Sequence, residues 1–193
     1  MLKLMCNEPR TNHRRFENAL GFIALLCLLL TMPGCLSLPS VARVSDRVMT
    51  GKPVSVDNIF VVISSSAGDL SAEKQLLGDS IISGLKQTEM FSLVTGNPAD
   101  LGAGGGLKVS VEITAIQKVS DNAREWEGAL AGRASIWLRV TVADLKSGRP
   151  IELFSAEGQS GKSAFAGTTD EAIQQAAQPV VAEMLRLNAL SGS

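Results

Sequence analysis

Two stretches of the chain alternate residue by residue between apolar and polar side chains, and that period of two dictates a half-buried sheet. In Lys108 to Lys118, Val109, Val111 and Ile113 share one face, and Ser110, Glu112 and Thr114 share the other. In Ser135 to Ala143, Ile136, Leu138, Val140 and Val142 stand opposite Trp137, Arg139 and Thr141. Asp144-Leu-Lys-Ser-Gly-Arg-Pro150 supplies turn chemistry, with Gly148 in the left-handed position, and Ile151 to Glu157 returns as the next strand. An antiparallel sheet with one apolar face needs a cover, and two amphipathic stretches provide it. Leu77, Ile81 and Leu85 recur every four residues within Ser71 to Met90, with Ile82 beside them, and Asp69 or Ser71 is placed to cap that helix. A second helix follows Thr168, whose spacing to Glu171 fits a capping box. Its core stripe reads Ile173, Ala176, Ala177, Val180, Val181, Met184 and Leu185, and Pro179 falls off that stripe, toward solvent.

Asn58 to Ser64 is a continuous apolar run, as in a strand buried on both faces, and Phe91 to Thr95 is a further short strand. The order is strand, helix, four strands, helix. The expectation is an α+β domain over residues 57–190, a mainly antiparallel sheet with two helices on one face.

Ahead of that domain lies a different kind of sequence. Arg14 and Arg15 precede an apolar run that begins at Ala19, and Gly34 leads into Cys35. This is the three-part layout of a secretory signal, and the cysteine after a small residue resembles a bacterial lipobox, whose cysteine is lipidated and becomes the new amino terminus. An uncleaved anchor is the competing reading. It needs about 20 apolar residues, whereas Ala19 through Gly34 is sixteen and contains Pro33. The expected division is a signal over 1–34, lipidation at Cys35, and a tether through residue 56. Leu36, rather than aspartate, after the cysteine is similar to outer-membrane sorting signals.

Cleavage before Cys35 leaves 159 residues with 14 basic and 17 acidic side chains. No basic run marks a nucleic-acid surface, so no nucleic-acid partner is expected. His13, the sole histidine, and Cys6 and Cys27 all precede Cys35. The mature domain therefore has no Ser-His-Asp or Cys-His site, no disulfide, and none of the ligands zinc and copper prefer. No cofactor, no metal and no enzymatic activity are expected.

Several motif fragments point elsewhere and fail on context. Ala156 to Ser163 resembles a phosphate-binding loop, but it has alanine in place of the first glycine, and the helix cap comes only at Thr168. Gly102 to Gly106 precedes a strand rather than a helix. Ser83-Gly-Leu-Lys86 and Ser120-Asp-Asn122 match two marks of penicillin-recognising enzymes, yet the third is missing and Ser83 falls late in its helix. Glu125 and Glu127 would stand roughly 7 Å apart on a strand, a pairing ordinary for solvated charges. Ser120 to Gly132, thirteen residues between two strands, is long for a hairpin. It carries Arg124 and Trp126, types enriched at interfaces, with Arg133 just beyond, and these three are the candidate partner contacts.

The chain resembles an uncharacterised family of small bacterial lipoproteins built on a domain of unknown function. The resemblance runs from Asp57 to Leu187. It rests on Phe91-Ser-Leu-Val, Arg124 with Gly128 and Gly132-Arg-Ala, Asp144 with Ser147-Gly148, and the Gly161 to Gly167 loop before an alanine-rich helix. The element order is also similar to that of the amino-terminal domain of the Tol translocation protein and of the curli-secretion lipoprotein. These features imply a non-enzymatic envelope lipoprotein, anchored to the outer membrane through Cys35 and facing the periplasm, with a periplasmic or outer-membrane protein partner. A small-ligand-binding lipoprotein is the alternative, and a hydrolase working without histidine a third.

Overall fold

A computed structural model describes residues 39–51, 57–101, 105–119, 132–161 and 167–191. Among them, six strands form one sheet: β1 (Val41–Met49), β2 (Asn58–Ser65), β3 (Leu93–Thr95), β4 (Leu107–Gln117), β5 (Ser135–Asp144) and β6 (Pro150–Gln159). Two helices, α1 (Ser71–Gln87) and α2 (Thr169–Ser191), pack against each other and against one face of it. The sheet order is β1-β6-β5-β4-β2-β3. β1, β6, β5 and β4 pair antiparallel, while β2 runs parallel to both β3 and β4. The expected α+β architecture is present, with the parallel pairs arising where α1 carries the chain from β2 to β3.

The alternating strands behave as their sequences demand. Val109, Val111 and Ile113 on β4 and Ile136, Leu138, Val140 and Val142 on β5 are buried under the helices. Val109 stands opposite Val142 and Val111 opposite Val140. Gly148 has φ +68° in the β5–β6 turn, where Asp144 Oδ1 accepts hydrogen bonds from Ser147 N and Oγ, both 2.6 Å. Those bonds hold the Asp144 carboxyl below its usual range.

Four expectations are corrected. The stretch read as a tether supplies β1, which extends the sheet at its edge and pairs from Val41 with Gln159 to Met49 with Glu152. β2 is not buried on both faces. Ile59 and Val61 are buried, but Phe60 and Val62 are only partly so, because among the described residues both helices lie on the other face. Neither Asp69 nor Ser71 caps α1. Leu70 occupies the cap position, and Ser71 Oγ donates to Asp69 Oδ1 instead. Pro179 is buried rather than solvent-facing, and Val181 and Leu185 are only partly buried. The core stripe of α2 keeps Ile173, Ala176, Ala177, Val180 and Met184 but is rotated to take in Ala172, Pro179, Glu183 and Leu187 as well.

That rotation follows from a close approach. A Cβ on Gly158 would stand 2.7 Å from Ala176 Cβ and closer still to the backbone of Ala172 and Ala176. Glycine on β6 and alanines on α2 thus let the helix backbone settle onto the strand. At Gly84 of α1, a Cβ would meet Val181 Cγ2 at 2.9 Å, so α1 and α2 also meet through a missing side chain. The second contact involves a side-chain end that can shift, whereas the first involves backbone that cannot. Gly158→Ala is therefore expected to lower stability by about 3 kcal/mol or more, and Gly84→Ala by about 1 kcal/mol or less. Urea denaturation of the two variants tests this, and equal effects would contradict the packing described.

Candidate functional site

The candidate site residues from the sequence divide sharply. Cys35, Arg124 and Trp126 lie outside the described residues, as do Ser120-Asp-Asn122, Glu125 and Glu127. Arg133 is described, and it turns inward. Its Nη2 donates to Pro39 O at 2.5 Å and its Nη1 to Gln159 Oε1 at 3.5 Å, while Nε is buried without a partner. Arg133 thus fastens the incoming chain to the end of β6, a structural use of a residue expected to meet a partner.

Of the loop that resembled a phosphate-binding motif, Gly161 is described and is engaged by Glu171, as is Gly167 beyond it. Glu171 accepts at Oε2 from Gly167 N, 3.0 Å, and at Oε1 from Gly161 N, 3.1 Å. Thr168 Oγ1 accepts from Glu171 N at 3.1 Å, which is half of the expected capping box. Glu171 reaches Gly167 rather than Thr168, and in doing so brings a carboxylate to two amides that an anion would otherwise need. Ser83 lies late on α1, and its Oγ accepts from Gln87 Nε2 at 3.4 Å.

The most unusual chemistry is one that the sequence reading did not single out. Glu152 on β6 is fully buried and Glu183 on α2 is 3% exposed. Arg186, one turn along α2, donates from Nη2 to both oxygens of Glu152 at 2.6 and 2.7 Å and from Nε to Glu183. Arg47 reaches across from β1, with Nη2 2.5 Å from Glu183 Oε2 and Nε 3.5 Å from Glu152 Oε1. Met49 Sδ lies 3.8 Å from the Arg186 guanidinium. Two carboxylates and two guanidiniums therefore join β1, β6 and α2. Burial, and then the neighbouring Glu183, push the Glu152 carboxyl above its ordinary range, against the pull of Arg186 and Arg47.

A signal for this cluster exists in the sequence. Glu152 falls on the inward face of β6 with Phe154 and Ala156, and Glu183 falls on the buried stripe of α2 between Val180 and Leu187. A carboxylate at a core position requires a cation, and Arg186 sits one turn from Glu183. Chemically the cluster is closed. Each carboxylate is engaged by guanidiniums, and among the described residues no group of three or more His, Cys, Asp or Glu gathers as metal ligands do.

The described residues also form open features on the surface, two of which bear on binding. On the sheet face opposite the two helices, a groove of about 420 Å³ is lined by Arg43, Ser45, Thr114, Trp137, Arg139 and Glu157, among others. Arg139 is paired with Glu112 at 3.2 Å. Between the helices, an uncharged trough of about 700 Å³ has Val181 and Leu185 among its apolar residues and Gln87, Gln174 and Gln178 among its polar ones.

No family model matches the sequence, and neither does any curated protein. Among solved structures, the chain is similar to the PelC dodecamer from Paraburkholderia phytofirmans. The identity is 10%, the match covers 79% of this chain and 97% of that one, and the TM-score is 0.46. It is also similar to protein XCC0632 from Xanthomonas campestris, of the DUF330 family, at 13% identity and a TM-score of 0.39, covering 80% of this chain and 95% of that one. These are distant likenesses in fold.

The cluster makes two predictions. Arg186→Ala leaves buried charge unpaired and is expected to cost about 3–5 kcal/mol in urea denaturation. The folded chain holds a proton on Glu152 more tightly than the unfolded chain does. Glu152 therefore contributes most below its ordinary value of 4.5, and its contribution falls as pH rises through the raised value. Wild type should accordingly lose stability relative to Glu152→Gln as pH rises above about 4.5. Parallel stability curves for the two proteins would contradict the assignment.

Proposed function

We propose that this chain is a lipid-anchored, non-enzymatic module of the bacterial cell envelope. It is attached through Cys35 and held at the periplasmic face of the outer membrane, where its domain contacts a periplasmic or outer-membrane protein. The observation that carries this reading is the sequence from Arg14 to Cys35, a positive flank, a sixteen-residue apolar and small segment, and Gly34-Cys35. Two further facts favour it. Beyond Cys35 the chain has neither histidine nor cysteine, which removes the usual nucleophile–base pairs. The buried Glu152 and Glu183 are tied to guanidiniums, so these buried acids are held in ion pairs rather than poised for proton transfer.

A second reading, a small-ligand binder, is favoured by the groove on the sheet face opposite the helices. Its mix of guanidinium, hydroxyl, carboxylate and indole groups suits a polar molecule with an apolar side. Reproducible ligand-induced shifts in melting temperature that vanish in Trp137→Ala would favour this reading over a protein partner.

The primary test is the mass of the amino-terminal peptide recovered from the membrane fraction. A diacylglyceryl adduct on Cys35, absent in Cys35→Ser, is the expected result. An unmodified peptide spanning residues 1–35 would overturn the lipoprotein reading.

A further inference from the structure

The length of chain between the proposed anchor and the first fixed residue limits how the domain can sit. Pro39 is fastened by Arg133, and from Val41 onward the chain is locked to β6, Val41 opposite Gln159 and Ala42 opposite Gly158. Cys35 and Pro39 are four residues apart, and four residues span at most about 14 Å when fully extended. A ten-residue strand such as β5 runs about 33 Å. The tether is less than half the length of the domain it carries.

The end of the sheet at which this tether arrives is well defined. It holds the start of β1, the end of β6, the start of β5 and the end of β4, where Gln117 stands opposite Ser135 and Ser135 opposite Gln159. The far end holds the β5–β6 turn from Asp144 to Arg149 and the start of β4, where Leu107 stands opposite Asp144.

We propose, resting on lipidation at Cys35, that the end of the sheet marked by Arg133, Gln117 and Gln159 lies against the phospholipid surface, leaving the β5–β6 turn pointing away from it. Charge does not choose this end. Arg43 and Arg133 stand near it without ion pairs among the described residues, but Asp170 and Glu171 in the first turn of α2 stand there too. Lys146 and Arg149 lie at the far end. A cation near an anionic surface is worth about 1 kcal/mol, and the field decays within a Debye length of about 8 Å. A covalent tether of about 14 Å acts at any ionic strength, so it decides the orientation. The consequence for function is that a protein partner approaches through the far end or the sides.

The mature chain has no cysteine beyond Cys35, so single probes can be placed cleanly. Gln117→Cys and Lys146→Cys, both at exposed positions, would each carry a fluorescent donor on the full lipidated protein. The protein is reconstituted in phosphatidylethanolamine–phosphatidylglycerol vesicles containing a headgroup-labelled acceptor lipid. Energy transfer at residue 117 is expected to exceed that at residue 146 at least twofold. Inserting twenty Gly/Ser residues after Cys35 is expected to erase most of the difference. Equal transfer at the two positions in protein shown by mass to be lipidated would overturn the orientation while leaving the lipoprotein reading intact. Absence of the lipid mass on Cys35 would overturn both.

Discussion

The buried pairing of Glu152 and Glu183 with Arg186 and Arg47 is the interaction on which the edge of this domain depends. Moving an ionised carboxylate out of water costs several kcal/mol, and only close, well-directed guanidinium contacts offset it. Arg186 supplies most of that compensation from within α2, and Arg47 supplies the remainder from β1. β1 has little else. Eight of its nine side chains are exposed, so its hold on the domain comes from the backbone ladder to β6, from Arg47 and, at its leading end, from Arg133. The cluster therefore converts an edge strand that has almost no hydrophobic anchorage into part of the fold.

That conversion matters for where the protein is held. Were residues 41–49 a free tether, the domain would be linked to Cys35 by about twenty flexible residues, with a reach near 25 Å on average. With β1 in the sheet, the link shortens to the few residues before Pro39, and the domain is brought close to whatever surface the proposed anchor enters. Arg133 fixes the point at which the chain arrives, through its bond to Pro39 O.

The parts of the fold that are legible in the sequence are those where one face is buried. On β4 and β5 the helices bury every second residue, which writes the period of two directly into the chain. Leu77, Ile81 and Leu85 show the corresponding stripe on α1, and all three are fully buried. β1 leaves no such mark, because a strand exposed on its side chains has no buried face to impose a pattern. Pro179 misleads for a related reason. The expected stripe includes Ala176 but not Ala172, whereas the helix docks onto Gly158 through both, which carries Pro179 inward. The buried ion-pair cluster is readable in principle from two glutamates at core positions, but only once the register of β6 and the rotation of α2 are known. Of the candidate contacts, Arg133 stands out in the sequence, yet its role does not, since its partner, Pro39 O, belongs to a stretch that reads as unstructured.

The docking of β1 is the central claim, and backbone hydrogen exchange on the purified protein tests it most directly. Amides within Val41–Met49 that bond to β6 are expected to be protected to a degree comparable with the outer residues of β6 itself, and to lose that protection selectively in Arg47→Ala. Exchange across residues 41–49 at the rate of an unstructured chain, alongside full protection of β5 and β6, would contradict the account. It would return the segment to the role of a flexible tether.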